Sequence, residues 1–91
     1  MYYVYTLISL KDNQLYVGYT GNLKERLKNH SAGLVDSTRH RRPLRLIYYE
    51  ACLNQRDALK REKYLKTTWG KRYLRNRISA YLQGENLNST G

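Results

Sequence analysis

The sequence predicts a single mixed α/β domain. Three observations carry that reading. Residues 2–9, Leu15–Tyr19 and Leu44–Ala51 are rich in Tyr, Val, Ile and Leu and follow the strand period. Apolar residues recur at helical spacing over 22–31, from Asn54 to Trp69, and again over Arg72–Leu82. A chain of 91 residues buries one small core and not two.

Each element has its own signal. Lys11-Asp12-Asn13-Gln14 is a turn, so the first two strands form a hairpin. If the turn centres on Asp12-Asn13, Tyr3, Tyr5, Tyr16 and Gly18 share one face. Val4, Thr6, Ile8, Val17 and Tyr19 take the other, and Gly18 leaves room on its own face for a ligand backbone to approach. Gly21 loosens the next turn, Asn22 or Thr20 caps a helix over 22–31, and Ser31-Ala32-Gly33 ends it. On that helix Leu23, Arg26, Leu27 and His30 fall on one face. Two of the four are not core residues, so the helix is expected to line a site. A long polar loop then ends in Arg39-His40-Arg41-Arg42 before Pro43. Asn54 caps the second helix, with Asp57 at the capping-box position. Its core-facing stripe is Ala58, Leu59, Glu62, Leu65 and Trp69, in which Glu62 is the anomaly. Gly70 is expected to bend or break the helix. Leu74, Ile78 and Leu82 mark a third helix, and residues 83–91 are expected to be a flexible tail after a domain of residues 1–82.

Composition narrows the function. Seventeen Lys and Arg against seven Asp and Glu give a net charge of +10, which points to a polyanion, most commonly nucleic acid. A membrane surface is the rival, but neither end is a strongly amphipathic helix. Ten Tyr and no Phe supply apolar bulk with hydroxyls at its rim. The single Cys52 excludes an intrachain disulfide or a multi-Cys zinc site. The first residues do not read as a signal peptide and no run has transmembrane length, so a cytoplasmic protein is expected.

Arg26, His30 and Glu62, facing a tyrosine-glycine surface, offer a phosphate clamp, a proton acceptor, a metal ligand and phenols. Phosphodiester hydrolysis uses such parts, and one carboxylate is enough for Mg²⁺. Plainer readings stand beside this one. Arg26 and Glu62 also fit a buried salt bridge, His30 a helix C-terminal cap, and Tyr5 and Tyr16 strand packing. Residues alone give a nucleic-acid-binding α/β domain with the parts of a metal-dependent nuclease.

Tyr3-Val4-Tyr5, Tyr16-Val17-Gly18, Asn22-Leu23-Lys24-Glu25-Arg26-Leu27 and His30 together resemble the signature of the GIY-YIG endonuclease superfamily. The chain is most similar to its small single-domain members, related to the N-terminal nuclease domain of the excision-repair protein UvrC. The resemblance continues through Arg42-Pro43, Tyr48–Glu50 and Ala58–Lys63. It implies a three-stranded antiparallel sheet flanked by helices, an α+β arrangement. It also implies a site of Tyr5, Tyr16, Arg26 and Glu62. Glu62 would hold one Mg²⁺ or Mn²⁺, a motif tyrosine would act as base, and His30 would orient the nucleophile. Tyr3 stands where the name-giving Gly would be, and Asn76 is the nearest match to the family's late asparagine. The expected activity is metal-dependent cleavage of double-stranded or branched DNA by a monomer, in repair or recombination. Arg39, Arg41, Arg42, Lys63 and Lys66 would contact phosphates. The alternative is a nucleic-acid-binding module with a vestigial site.

Overall fold

The computed structural model describes residues 1–87. Three strands form one antiparallel sheet, β1 (Tyr2–Ser9), β2 (Leu15–Thr20) and β3 (Leu44–Cys52), with β1 in the middle. Helix α1 (Leu23–Ser31) lies over one face, and α2 (Gln55–Leu65), α3 (Thr68–Arg77) and α4 (Ser79–Gly84) complete the chain on the other. The three-stranded sheet flanked by helices is therefore the α+β fold expected. No helix among the described residues is long and apolar enough to cross a membrane.

The hairpin register is shifted by two from the one that a turn centred on Asp12-Asn13 would give. Ser9 N–H donates to Gln14 O at 3.0 Å, and Asn13, at φ 59°, donates to Ser9 O at 2.7 Å. Asn tolerates this left-handed conformation, so Leu10–Asn13 becomes the loop. A shift of two keeps the parity. Tyr5 sits opposite Gly18, Leu7 opposite Tyr16, and Tyr3 shares their face. On β3 an irregularity opposite Thr6 and Leu7 leaves Ile47 without a partner, so Tyr49 and Leu46 join the tyrosine face while Tyr48 and Glu50 join the other.

The second face carries the hydrophobic core, where Val4, Ile8, Leu15 and Val17 pack against Ala58, Leu65, Leu74, Leu82 and Leu87. Two members of the expected α2 stripe are not in it: Leu59 is 42% exposed and Trp69 67%. For Trp69 the cause lies at the α2–α3 junction. Thr67 Oγ1 donates to Tyr64 O at 2.7 Å and accepts from Gly70 N–H at 3.0 Å, so it ends one helix and caps the next. The break falls at Lys66-Thr67 and not at Gly70, and Trp69 turns outward on the new helix. Gly70 is buried in α3's first turn, where a Cβ would overlap the Tyr64 carbonyl oxygen and Leu65 Cα. The third helix expected over 72–82 divides at Ile78 into α3 and α4. Asn54 caps α2 by accepting from Arg56 N–H at 2.8 Å. Of the tail expected from Gln83, Gln83 and Gly84 belong to α4 and Leu87 is buried in the core. The remainder of that expectation, 88–91, lies outside the described residues.

An ion pair fastens α2 to β3. Arg61 Nε and Nη2 each donate to the Glu50 carboxylate at 2.9 Å, and the Tyr48 hydroxyl donates to Glu50 Oε2 at 2.9 Å. Burial pushes the Glu50 carboxyl up, but the Arg61 fork and the Tyr48 hydroxyl outweigh it and hold the group below its ordinary value of 4.5. Glu50 thus contributes stability above that pH, and the contribution is lost as pH falls through its lower folded pKa. Glu50→Gln should cost roughly 1–3 kcal/mol at neutral pH, less than a fully buried pair because both side chains keep some solvent contact. In urea melts it should also flatten the loss of stability below pH ~4.5. A variant as stable as the parent at pH 7 would contradict this.

Candidate active site

The site is built around a buried phenol. Tyr5 lies on the central strand and is 0% exposed. Arg26 Nε donates to its hydroxyl at 3.3 Å, and the hydroxyl lies 2.7 Å from His30 Nε2. His30 Nδ1 lies in turn 2.7 Å from Thr38 Oγ1. The proton positions follow from what each group can do. A guanidinium only donates, and His30 Nε2 is the one acceptor beside the buried Tyr5 hydroxyl, so satisfying the phenol proton assigns it to Nε2 and leaves Nδ1–H to donate to Thr38. The chain runs one way, Arg26 to Tyr5 to His30 to Thr38.

Local sequence signals put these groups in place. Asn22 Oδ1 accepts from Glu25 N–H at 3.1 Å and fixes where α1 begins, so Arg26 and His30, one turn apart, both face the sheet. At the other end Gly33 takes φ 77°. Its N–H reaches His30 O at 3.1 Å and Leu34 N–H reaches Asn29 O at 2.9 Å, the Schellman pattern. The chain then folds back and brings Thr38, fully buried, onto His30. Arg42 holds this return in place by donating to Ser31 O at 3.3 Å and Arg39 O at 3.1 Å.

Burial first, then the Arg26 charge, lowers the His30 pKa to about 4, so the imidazole is neutral at physiological pH. Burial raises the Tyr5 pKa more than the Arg26 hydrogen bond lowers it, which keeps the phenol a donor. Gly18 has a different reason from the one its pattern suggested. The Tyr5 ring lies across it, and a Cβ would overlap the ring and its hydroxyl. The space is filled by the protein's own tyrosine and not kept for a ligand.

Tyr16, on the edge strand, is half-buried. Its ring stands edge-on to His30 at 5.3 Å, and its hydroxyl accepts from Ser37 Oγ at 3.4 Å. Arg26 is also half-buried; its pKa is raised, first by the Tyr5 bond and further by Tyr16. These two groups form the solvent side of the cluster. Glu62 does not pair with Arg26, so that salt-bridge reading is corrected. Its partner is Lys66, 3.2 Å away, and its side chain is 19% exposed. Its link to the cluster is electrostatic: its charge is the smallest of the influences on Tyr5, where burial dominates. No group of three or more His, Cys, Asp or Glu that could hold a metal occurs among the described residues.

The basic cluster is partly committed. Arg39 pairs with Asp36 at 3.6 Å, and Arg42, still exposed, also holds the loop. Lys63, on α2, and Lys66, at its C-cap, are exposed. Asn76 lies on α3 in a surface groove beside Trp69 and Arg72. Thr38 and Ser37 were not singled out by the sequence, because a contact made by a polar loop leaves no periodic trace.

A family model described as the GIY-YIG catalytic domain matches residues 1–77. The chain belongs to the GIY-YIG family. That domain is a nuclease domain by family. The chain is 45% identical to a UPF0213 protein of Clostridium perfringens over 67 residues, covering 72% of this chain and 71% of that one. It is 42% identical to a UPF0213 protein of Staphylococcus haemolyticus, covering 72% and 80%. The solution NMR structure of a UPF0213 protein from Bacillus halodurans superposes with a TM-score of 0.58 at 32% identity, over 99% of this chain and all of that one. In this GIY-YIG domain the two motif tyrosines lie at different depths, Tyr5 sealed and Tyr16 at the rim.

The neutral His30 has a thermodynamic signature. Between pH 6.5 and about 4 the unfolded chain takes up a proton there that the folded chain refuses. Stability should therefore be full above pH 6.5 and fall by roughly 3 kcal/mol on the way to pH 4. His30→Gln should remove most of that slope. Thermal melts from pH 7 to 4 read it, and equal slopes in the two proteins would contradict the assignment.

Proposed function

We propose that this GIY-YIG domain is a divalent-metal-dependent endonuclease that hydrolyses phosphodiester bonds in double-stranded or branched DNA. The observation that carries the reading is that half-buried Arg26 and Tyr16 both stand at the solvent side of a buried hydrogen-bond chain, Arg26 bonded to Tyr5 and the Tyr16 ring edge-on to His30. Arg26 is held through Nε by a buried phenol, so its guanidinium is oriented before substrate arrives. It can then meet the phosphate oxygens on which charge develops. Tyr16 is the hydroxyl within reach of an entering water, and it acts as the proton acceptor. Both nitrogens of His30 are already engaged and the ring is buried, which supports a positioning role for it. Tyr5, sealed from solvent, likewise positions Arg26 and His30 and does not touch substrate.

Glu62 fits a hard cation. It is a mostly buried carboxylate whose present partner is an exposed lysine, and Mg²⁺ or Mn²⁺ needs only one such ligand beside water and phosphate. When bound, that ion supplies Lewis-acid stabilisation of the phosphate. Arg39, Arg41, Arg42, Lys63 and Lys66 contact the DNA backbone without reading bases, and all but the half-buried Arg41 are exposed. A monomer acting in repair or recombination is the setting we infer. A second reading, a nucleic-acid-binding module without cleavage, draws on the Glu62–Lys66 pair, which leaves the carboxylate without a direct bond to the rim.

A nicking assay in Mg²⁺ over a DNA panel tests the reading. Tyr16→Phe should cut cleavage at least ~100-fold while DNA binding survives. Glu62→Gln should abolish metal-dependent cleavage yet shift stability by no more than about 1 kcal/mol, because the Lys66 it pairs with is exposed and screened by solvent. Wild-type rates in both variants would overturn the site, and binding without cleavage by the parent protein would favour the second reading.

A further inference from the structure

Helix α3 has two apolar stripes, and the core uses one. Gly70 and Leu74 face inward. Trp69, Arg72, Tyr73 and Asn76 fall at spacings of three and four on another face and line a groove that Tyr64 extends from the end of α2. Trp69 is 67% exposed, Tyr64 45% and Tyr73 38%. Three large rings left together in water on so small a domain have no packing reason.

Guanidinium groups also lie against the rings. The Arg72 guanidinium lies 5.0 Å from the Trp69 ring centre. Arg61 lies 4.9 Å from that of Tyr73 and 5.7 Å from that of Tyr64, and Arg61 cannot drift because Glu50 holds its fork. Helix α3 carries Lys71, Arg72, Arg75 and Arg77 and no acidic residue. Trp69 and Tyr73 stand one helical turn apart, about 5.4 Å along the axis.

We propose that this groove binds a short single-stranded stretch of nucleic acid, two or so unpaired bases stacking on Trp69 and Tyr73 while the exposed Arg72 neutralises a flanking phosphate. Aromatic faces set in a cationic, acid-free helix suit that ligand, because every base offers a ring face and every linkage a negative charge. A protein partner would find neither an apolar centre free of charge nor, on α3, a carboxylate for its own basic groups. The site lies on the helical layer opposite α1, apart from Arg26 and Tyr16. The proposal rests on the nucleic-acid half of the function proposed above, and not on cleavage. It adds that the preferred substrate carries an unpaired segment beside its duplex.

Trp69 is the chain's one tryptophan, so its fluorescence reports on this groove alone. In EDTA, where no hydrolysis occurs, the octanucleotide dT8 should quench it saturably, equally in the parent and in Tyr16→Phe. Trp69→Ala should bind labelled dT8 about 5- to 150-fold more weakly by anisotropy, the scale of one lost base stack. Trp69→Tyr, which keeps a stacking ring, should recover most of the affinity, and both variants should bind a blunt duplex like the parent. Heparin, a polyanion without bases, should bind with little quenching and no dependence on Trp69. The proposal is overturned if dT8 binds without quenching, if Trp69→Ala binds dT8 normally, or if heparin shows the same quench and the same loss. A protein that quenches with dT8 but nicks no DNA would retire the hydrolytic reading and leave this one standing.

Discussion

The structure depends on one buried hydroxyl. A phenol on the central strand of a sheet, shut off from water, must find its hydrogen-bond partners inside the protein. Tyr5 finds two, receiving from Arg26 and giving to His30. Much of the first half of the chain follows from satisfying it. Gly18 has no side chain because the ring needs its place. Asn22 sets the phase of α1 so that both partners point at the sheet, and Gly33 reverses the chain so that Thr38 can take the last proton of the series. The consequence is an arginine held still at the surface and a histidine held neutral beneath it.

The two faces of the sheet divide the work. The face toward α2, α3 and α4 carries the apolar core, closed by Leu82 and Leu87 and fastened by the Glu50–Arg61 fork. That face supplies the burial that a domain this small needs. The face toward α1 is then free to bury polar groups whose desolvation would otherwise count against folding. Glu62 is the residue of the proposed site that comes from the core side, and it reaches Tyr5 through its charge and not through a bond.

What the sequence made legible follows from its periods. Strand parity placed Tyr3, Tyr5, Tyr16 and Gly18 together, and a register slip of two could not disturb it. Helical phase placed Arg26 with His30 for the same reason. Parity says nothing of depth, however. Tyr5 and Tyr16 look alike in the pattern, and only the order of the strands makes one central and sealed, the other peripheral and open. The α2–α3 break was hidden because Gly70 is the more visible breaker, while the signal that mattered was the Thr67 hydroxyl. Trp69 followed that error onto the core stripe. Arg42 and Thr38 belong to a loop, where no period exists to show that one ties down backbone and the other meets His30.

The central claim, that Tyr5 donates into a neutral His30 and fixes its tautomer, is most directly tested by long-range ¹H–¹⁵N NMR of the His30 ring. The account predicts one neutral tautomer with its proton on Nδ1 and an accepting Nε2, unchanged from pH 7.5 down to about 5, because the ring titrates only near 4. A ring that titrates near 6.5, or that carries its proton on Nε2, would contradict it.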